Sequence, residues 1–156
     1  MNSSEILLLN FKETRRRSIN VWKGIPEEFL NWKPDSKALS CIEMVRHVLE
    51  GEHLFHTIIK NRGNLGNYTS PWESLAYTNI LDELSFAEPY RISFYEMIEE
   101  LSATDLSDIV IHREEVNQEK KLGDYLNRMV YHEAVHVGQL LGYLRTLKIK
   151  RPQIWD

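Results

Sequence analysis

Apolar residues recur at helical rather than strand spacing over most of this chain. Leu8, Phe11, Ile19 and Trp22 share one face of a helix expected over about Ser4 to Trp22, which Gly24 and Pro26 end. A short turn of helix over Glu27 to Trp32 follows. The second pattern carries its own start signal: in Ser40-Cys41-Ile42-Glu43 the serine and glutamate side chains each satisfy a backbone donor that a first helical turn leaves unpaired. From there Glu43, Arg46, Glu50, His53, Thr57 and Lys60 form a polar stripe. Met44, Val48, Gly51, Phe55 and Ile58 form the apolar side, up to Gly63.

Residues 64–85 are less regular, with Gly66, Pro71 and three aromatics that read as exposed, Tyr68, Trp72 and Tyr77. A third helix is expected from Glu88-Pro89 to Leu101, because proline is tolerated in a first helical turn. Ile109 to Glu119 is β-branched and then charged, which predicts a loop or a stubby hairpin. The fourth long helix runs from about Leu122 to Leu147, and Pro152 keeps it from going further. Four amphipathic helices predict an all-α fold, a four-helix bundle occupying residues 1–156 as a single domain.

Composition agrees: seven glycines and five prolines in 156 residues are too few for a strand-and-turn protein. The net charge of −4 gives no electrostatic reason to expect nucleic acid as a partner, and the basic run Arg15-Arg16-Arg17 reads as a solvated face. No apolar stretch reaches membrane-spanning length and no signal-peptide pattern opens the chain. The one cysteine, Cys41, cannot form an internal disulfide, which suits a cytoplasmic protein.

The chemistry concentrates in His132-Glu133-Ala134-Val135-His136. Residues i and i+4 lie one above the other on a helix, so both imidazoles can address one metal ion. The string also matches the H-E-x-x-H of zinc proteases, where the glutamate is the general base. The extended protease motif needs a glycine at position 139 and a histidine at position 142, where this chain has Gln139 and Gly142. The other protease arrangement takes a glutamate from a helix downstream, and Asp156 is the sole carboxylate side chain after His136. A third ligand must therefore come from upstream.

His53 sits in the polar stripe and reads as solvated; His112 lies in the irregular segment with nothing to orient it. His56 is roughly 180° around its helix from His47. His47 shares a face with Gly51, Leu54 and Ile58, an inward apolar surface. The histidine pair sits amid Tyr125, Met129, Leu140 and Tyr143. Three imidazoles meeting in one core repel as cations and are poorly satisfied as neutral donors, a conflict that a metal resolves.

The segment Leu39-Ser40-Cys41-Ile42-Glu43 leading into His47, then His132-x-x-x-His136-x-Gly138-Gln139 and Tyr143-Leu144-Arg145, resembles the DinB-like (damage-inducible) metalloprotein superfamily. Trp32-x-Pro34 and Arg151-Pro152 extend the likeness over nearly the whole chain. The resemblance implies a bundle of up-down-down-up connectivity and a divalent metal, zinc or nickel, on His47, His132 and His136, often in a homodimer. Some members transfer low-molecular-weight thiols such as bacillithiol or mycothiol, or isomerise maleylpyruvate with a thiol cofactor. Glu133 is not a fixed feature of that family.

Glu133 and Gln139 are the remaining candidates for the chemistry. Glu133 either lines the site as base or orienter or makes a peripheral salt bridge; its helical-spacing neighbours are Leu126, Val130, Val137 and Leu140. Gln139, three residues after His136, either holds a ligand or water, or packs between helices. Cys41 opens a helix, where the macrodipole can lower a thiol pKa, against ordinary burial. Ala134, Gly138 and Gly142 make a small-residue stripe that suits a close helix contact or a dimer seam. Two functions are expected from this set. The first is a metal-dependent thiol S-transferase or hydrolase acting on a small molecule; Trp72 and Tyr77 either cover its pocket mouth or, as the favoured reading, pack at the surface. The second is a non-catalytic, stress-induced metal-binding protein.

Overall fold

The first helix forms as α1, Ser3–Lys23, in a computed structural model that describes residues 1–155, so Asp156 lies outside the described residues. Asn2 caps it, accepting from the backbone N–H of Glu5 at 2.9 Å. A 3-10 turn follows at Glu27–Phe29. Helix α2, Cys41–Asn61, begins at the expected capping box: the Ser40 N–H donates to Glu43 Oε2 at 2.7 Å and the Glu43 N–H to Ser40 Oγ at 3.4 Å.

Helix α3 spans Ile80–Glu99 and so starts well before Glu88. Asn79 accepts from the Asp82 N–H at 2.9 Å, and Asp82 and Glu83 place negative charge on the first turn, where the macrodipole favours it. Pro89 therefore stands inside the helix, where its missing N–H removes one bond without ending the run. The short helix α4, Ala103–Asp108, was not expected; Ser102 and Asp105 form a capping box at its start. Of the two readings of the next segment, the hairpin is observed: β1, Val110–Arg113, pairs antiparallel with β2, Gln118–Lys121. Helix α5, Leu122–Thr146, completes a mostly helical fold with one small sheet among the described residues.

Helices α1 and α2 each pack against both α3 and α5. Two apolar clusters result. The C-terminal halves of α1 and α5 meet the N-terminal halves of α2 and α3 around Trp22, Val45, Ala87 and Leu140. The opposite halves meet around Phe11, Ile58, Phe94 and Leu126, with Phe11 and Phe94 edge-to-face at 5.0 Å.

Between the clusters the helices contribute charge. Arg15 of α1 is only 4% exposed, which corrects its reading as part of a solvated face. Its guanidinium donates to Glu133 of α5 through Nε at 2.7 Å and Nη2 at 3.0 Å, and to Glu52 of α2 at 3.3 Å. Arg91 of α3 pairs with the same Glu52 carboxylate and donates to the Phe11 carbonyl at 3.0 Å. Arg46, expected in the polar stripe, is likewise buried, paired with Glu83 and stacked 3.7 Å from the exposed Tyr77 ring. Trp72, expected at the surface, is buried against Phe86 and Tyr90.

The residues that flank the long helices close one end. Tyr143 donates its hydroxyl to the Leu39 carbonyl at 3.1 Å and meets Trp32 edge-to-face at 5.3 Å. Gly24 lets Pro152 lie against α1, since a Cβ there would stand 2.5 Å from the proline Cγ.

Candidate metal centre

His47 of α2 meets His132 and His136 of α5 at the seam between the two helices. His132 Nε2 lies 3.1 Å from His47 Nε2 and 3.1 Å from His136 Nε2, and the candidate ligand atoms all fall within 4.8 Å of one another. Zinc–nitrogen bonds of about 2.0–2.1 Å in a tetrahedron put the nitrogens about 3.3 Å apart, so the observed spacing fits one ion.

Proton bookkeeping gives the same answer. His136 Nδ1 lies 2.7 Å from Gln139 Oε1, an acceptor, so Nδ1 carries the hydrogen and Nε2 presents a lone pair. A single hydrogen on His132 Nε2 serves one of its two close nitrogen neighbours, whereas a cation serves all three. Burial, and then the charge of His136 and His47, push His132 down to about 4. Burial and His136 also lower His47. Both shifts favour the neutral form of His132 and His47, the state in which imidazole binds a metal.

The location differs from the inward core expected. His47 is exposed and the other two rings are half-buried, because the His47 face of α2 borders the open side of the α2–α5 contact. Gly51 clears the space: a Cβ there would lie 3.5 Å from His132 Cε1. Phe55 backs the ring edge-to-face at 5.8 Å. On the inner side, a gap of about 10 Å³ bounded by His132, Glu133, Glu52 and Phe11 is no larger than one water. Any reagent therefore approaches from solvent.

The structure brings Gln139 to the site, on His136. Glu133 instead is buried, with both oxygens accepting from Arg15. Burial raises its carboxyl pKa and Arg15 more than reverses this, leaving it below the ordinary value. Its salt bridge is interior rather than peripheral. Burial pushes the Cys41 thiol up to about 11, so no macrodipole activation survives. His53, expected in solvent, lies half-buried between Tyr90 at 4.5 Å and Tyr68 at 5.9 Å, because residues 62–79 cover that side of α2. His56 is buried against Phe94, and His112 hydrogen-bonds Glu119 across the hairpin at 3.1 Å. At Gly138 and Gly142 a Cβ would meet nothing within 4 Å among the described residues, so these two positions of the stripe open outward.

The charged layer of Arg15, Glu52, Arg91 and Glu133 was missed in the sequence. Its signal was there: Arg15 follows Phe11 by four and precedes Trp22 by seven, on the buried face, but Arg16 and Arg17 disguised it as a surface run.

Comparison with known proteins gives a consistent picture. An uncharacterized protein, YjoA, of Bacillus subtilis (strain 168) is 26% identical over 148 residues, 94% of this chain and 92% of that one. The crystal structure of the DinB-like protein YjoA from Bacillus subtilis superposes with a TM-score of 0.71 at 22% identity, covering 94% of each chain. The DinB superfamily model matches residues 10–140. With that match running through α1 to α5 and including all three histidines, the chain belongs to the DinB superfamily.

Proposed function

We propose that this protein is a metal-dependent enzyme in which His47, His132 and His136 hold one divalent ion, zinc or nickel, and a low-molecular-weight thiol is joined to a small electrophilic substrate. The observation that carries the reading is the convergence of three imidazole nitrogens at a solvent-open seam. Three protein ligands leave a coordination position free, the pattern of catalytic rather than structural sites. A divalent ion there would lower the pKa of a thiol or water that reaches it.

Each residue has a defined part. His132, flanked by Gly51 and Phe55, presents its nitrogen between the other two. Gln139 fixes the His136 tautomer. The reaction forms a bond between thiol sulfur and substrate carbon, the leaving group departs with its electron pair, and the thiol proton passes to solvent. The fold beneath it we read as an up-down-down-up four-helix bundle, supported by the clusters that join opposite ends of α1 and α5 to those of α2 and α3. The superfamily's habit of pairing is supported by the outward side of α5, where Tyr131 is 73% exposed and Gly138 and Gly142 stand open. A second copy of the chain would fit there. The lone cysteine fits a reducing cytoplasm.

The test is a panel of thiols with monochlorobimane, in which sulfur displaces chloride, comparing the zinc-loaded and nickel-loaded protein with His132→Ala. A rate that needs both the metal and His132 is expected. A metal-independent rate, or none above buffer with any thiol, sinks the transferase reading in favour of hydrolysis or of non-catalytic metal binding.

A further inference from the structure

Among the described residues, Arg15 touches a carboxylate on each of the two ligand-bearing helices. It holds Glu133 of α5 through two hydrogen bonds, at 2.7 and 3.0 Å, and reaches Glu52 of α2 at 3.3 Å. Each carboxylate is one residue from the centre's geometry. Glu133 follows His132, and Glu52 follows Gly51, the residue whose Cα side faces the His132 ring. Neighbouring residues on a helix point about 100° apart, so gripping Glu133 in the interior sets how far around α5 the His132 ring is turned toward the seam.

Arg91 completes the arrangement from α3, pairing with Glu52 and holding the Phe11 carbonyl of α1. The layer of two arginines and two glutamates is charge-balanced, joins all four long helices and lies between the two apolar clusters. Apolar packing alone lets helices slide and rotate among similar arrangements. A forked guanidinium shared by two carboxylates admits far fewer.

We propose that Arg15 is a positioning residue for the three-histidine centre, fixing the rotation of α5 against α2 through Glu133 and Glu52 so that the imidazole nitrogens converge before any ion arrives. The inference rests on the metal reading above and extends it from the ligands to the residues behind them. Lysine keeps the charge of Arg15 but loses the fork, and glutamine keeps the shape of Glu133 but loses its charge.

The experiment measures zinc affinity by chelator competition for the full chain and for Arg15→Lys, Glu133→Gln, Ile98→Ala and His132→Ala, at a temperature where circular dichroism shows each folded. Ile98 is buried in the cluster around Phe94, on a helix that carries no candidate ligand, and serves as the control for lost stability. Affinity is expected to fall about 10-fold or more in Arg15→Lys and Glu133→Gln and to stay unchanged in Ile98→Ala at a comparable loss of melting temperature. The cobalt(II)-loaded layer variants should also lose intensity in the visible bands of tetrahedral coordination, while Ile98→Ala keeps them. Wild-type affinity and spectrum in both layer variants, beside lost binding in His132→Ala, overturn the positioning role alone. Full binding by His132→Ala overturns the metal reading and this inference with it. Should Arg15→Lys not fold, Glu133→Gln decides.

Discussion

Gln139 Oε1 and His136 Nδ1 lie 2.7 Å apart, one helical turn from each other on α5. The contact sets which ring nitrogen bears the hydrogen and which faces His132. Outer partners of this kind typically change metal affinity by 10–100-fold when removed. Gln139→Leu is therefore expected to bind zinc about 10–100-fold more weakly with little change in melting temperature, since the side chain is exposed. Isothermal titration checks it; wild-type affinity would mean that the ring is held by its packing alone.

Gly51 gives a steric prediction. A methyl at this position stands at ordinary contact distance, 3.5 Å, from His132 Cε1. Gly51→Ala should retain metal, whereas Gly51→Leu should push the ring out of register and abolish stoichiometric binding. Equal binding by the two variants would show that the seam opens freely.

Acid should loosen the metal-free protein. His132 is pushed down to about 4 from 6.5, by burial first and then by its histidine neighbours; burial and Lys60 push His56 to about 4. Between these values the folded chain binds fewer protons than the unfolded one, so the stability tied to both neutral rings is present above about pH 6.5 and drains as pH falls toward 4. Melting temperature of the apo protein should decline across that window, and by less in His56→Leu. A flat profile would contradict the burial assigned to these rings.

The buried ion pairs differ from the exposed ones in a measurable way. Arg46 pairs with Glu83, which is 1% exposed and would be left as an uncompensated interior charge. Arg46→Ala should cost about 3–5 kcal/mol. Lys120→Ala, which breaks the exposed pair with Asp124, should cost less than about 1 kcal/mol. Urea unfolding of both variants provides the comparison.

Helical periodicity was enough to place α1, α2 and α5, because their apolar positions repeat cleanly and Ser40 and Glu43 mark a start. It misplaced the start of α3, where Pro89 drew attention from the Asn79–Asp82 cap. The i, i+4 spacing was enough to pair His132 with His136, but the inward face expected for His47 is the exposed side of α2, and His56 is the buried one. The place of His47 in the cluster follows from the α2–α5 seam, which local pattern does not show. What local pattern cannot hold is tertiary pairing. Arg15 and Glu133 are 118 positions apart, and each looks solvated until the other is brought beside it. The same holds for His53, which reads as polar and is covered by Trp72 and Tyr68 from a loop with no periodicity.

The central claim, that His47, His132 and His136 form one metal centre, is tested most directly by metal content. Protein dialysed against excess zinc and then against buffer would be analysed by mass spectrometry as wild type, His47→Ala, His132→Ala, His136→Ala and His53→Ala. The account predicts about one ion per chain for wild type and His53→Ala, and none retained by the other three. Full zinc in any one of those three, or loss of it in His53→Ala, would contradict the assignment.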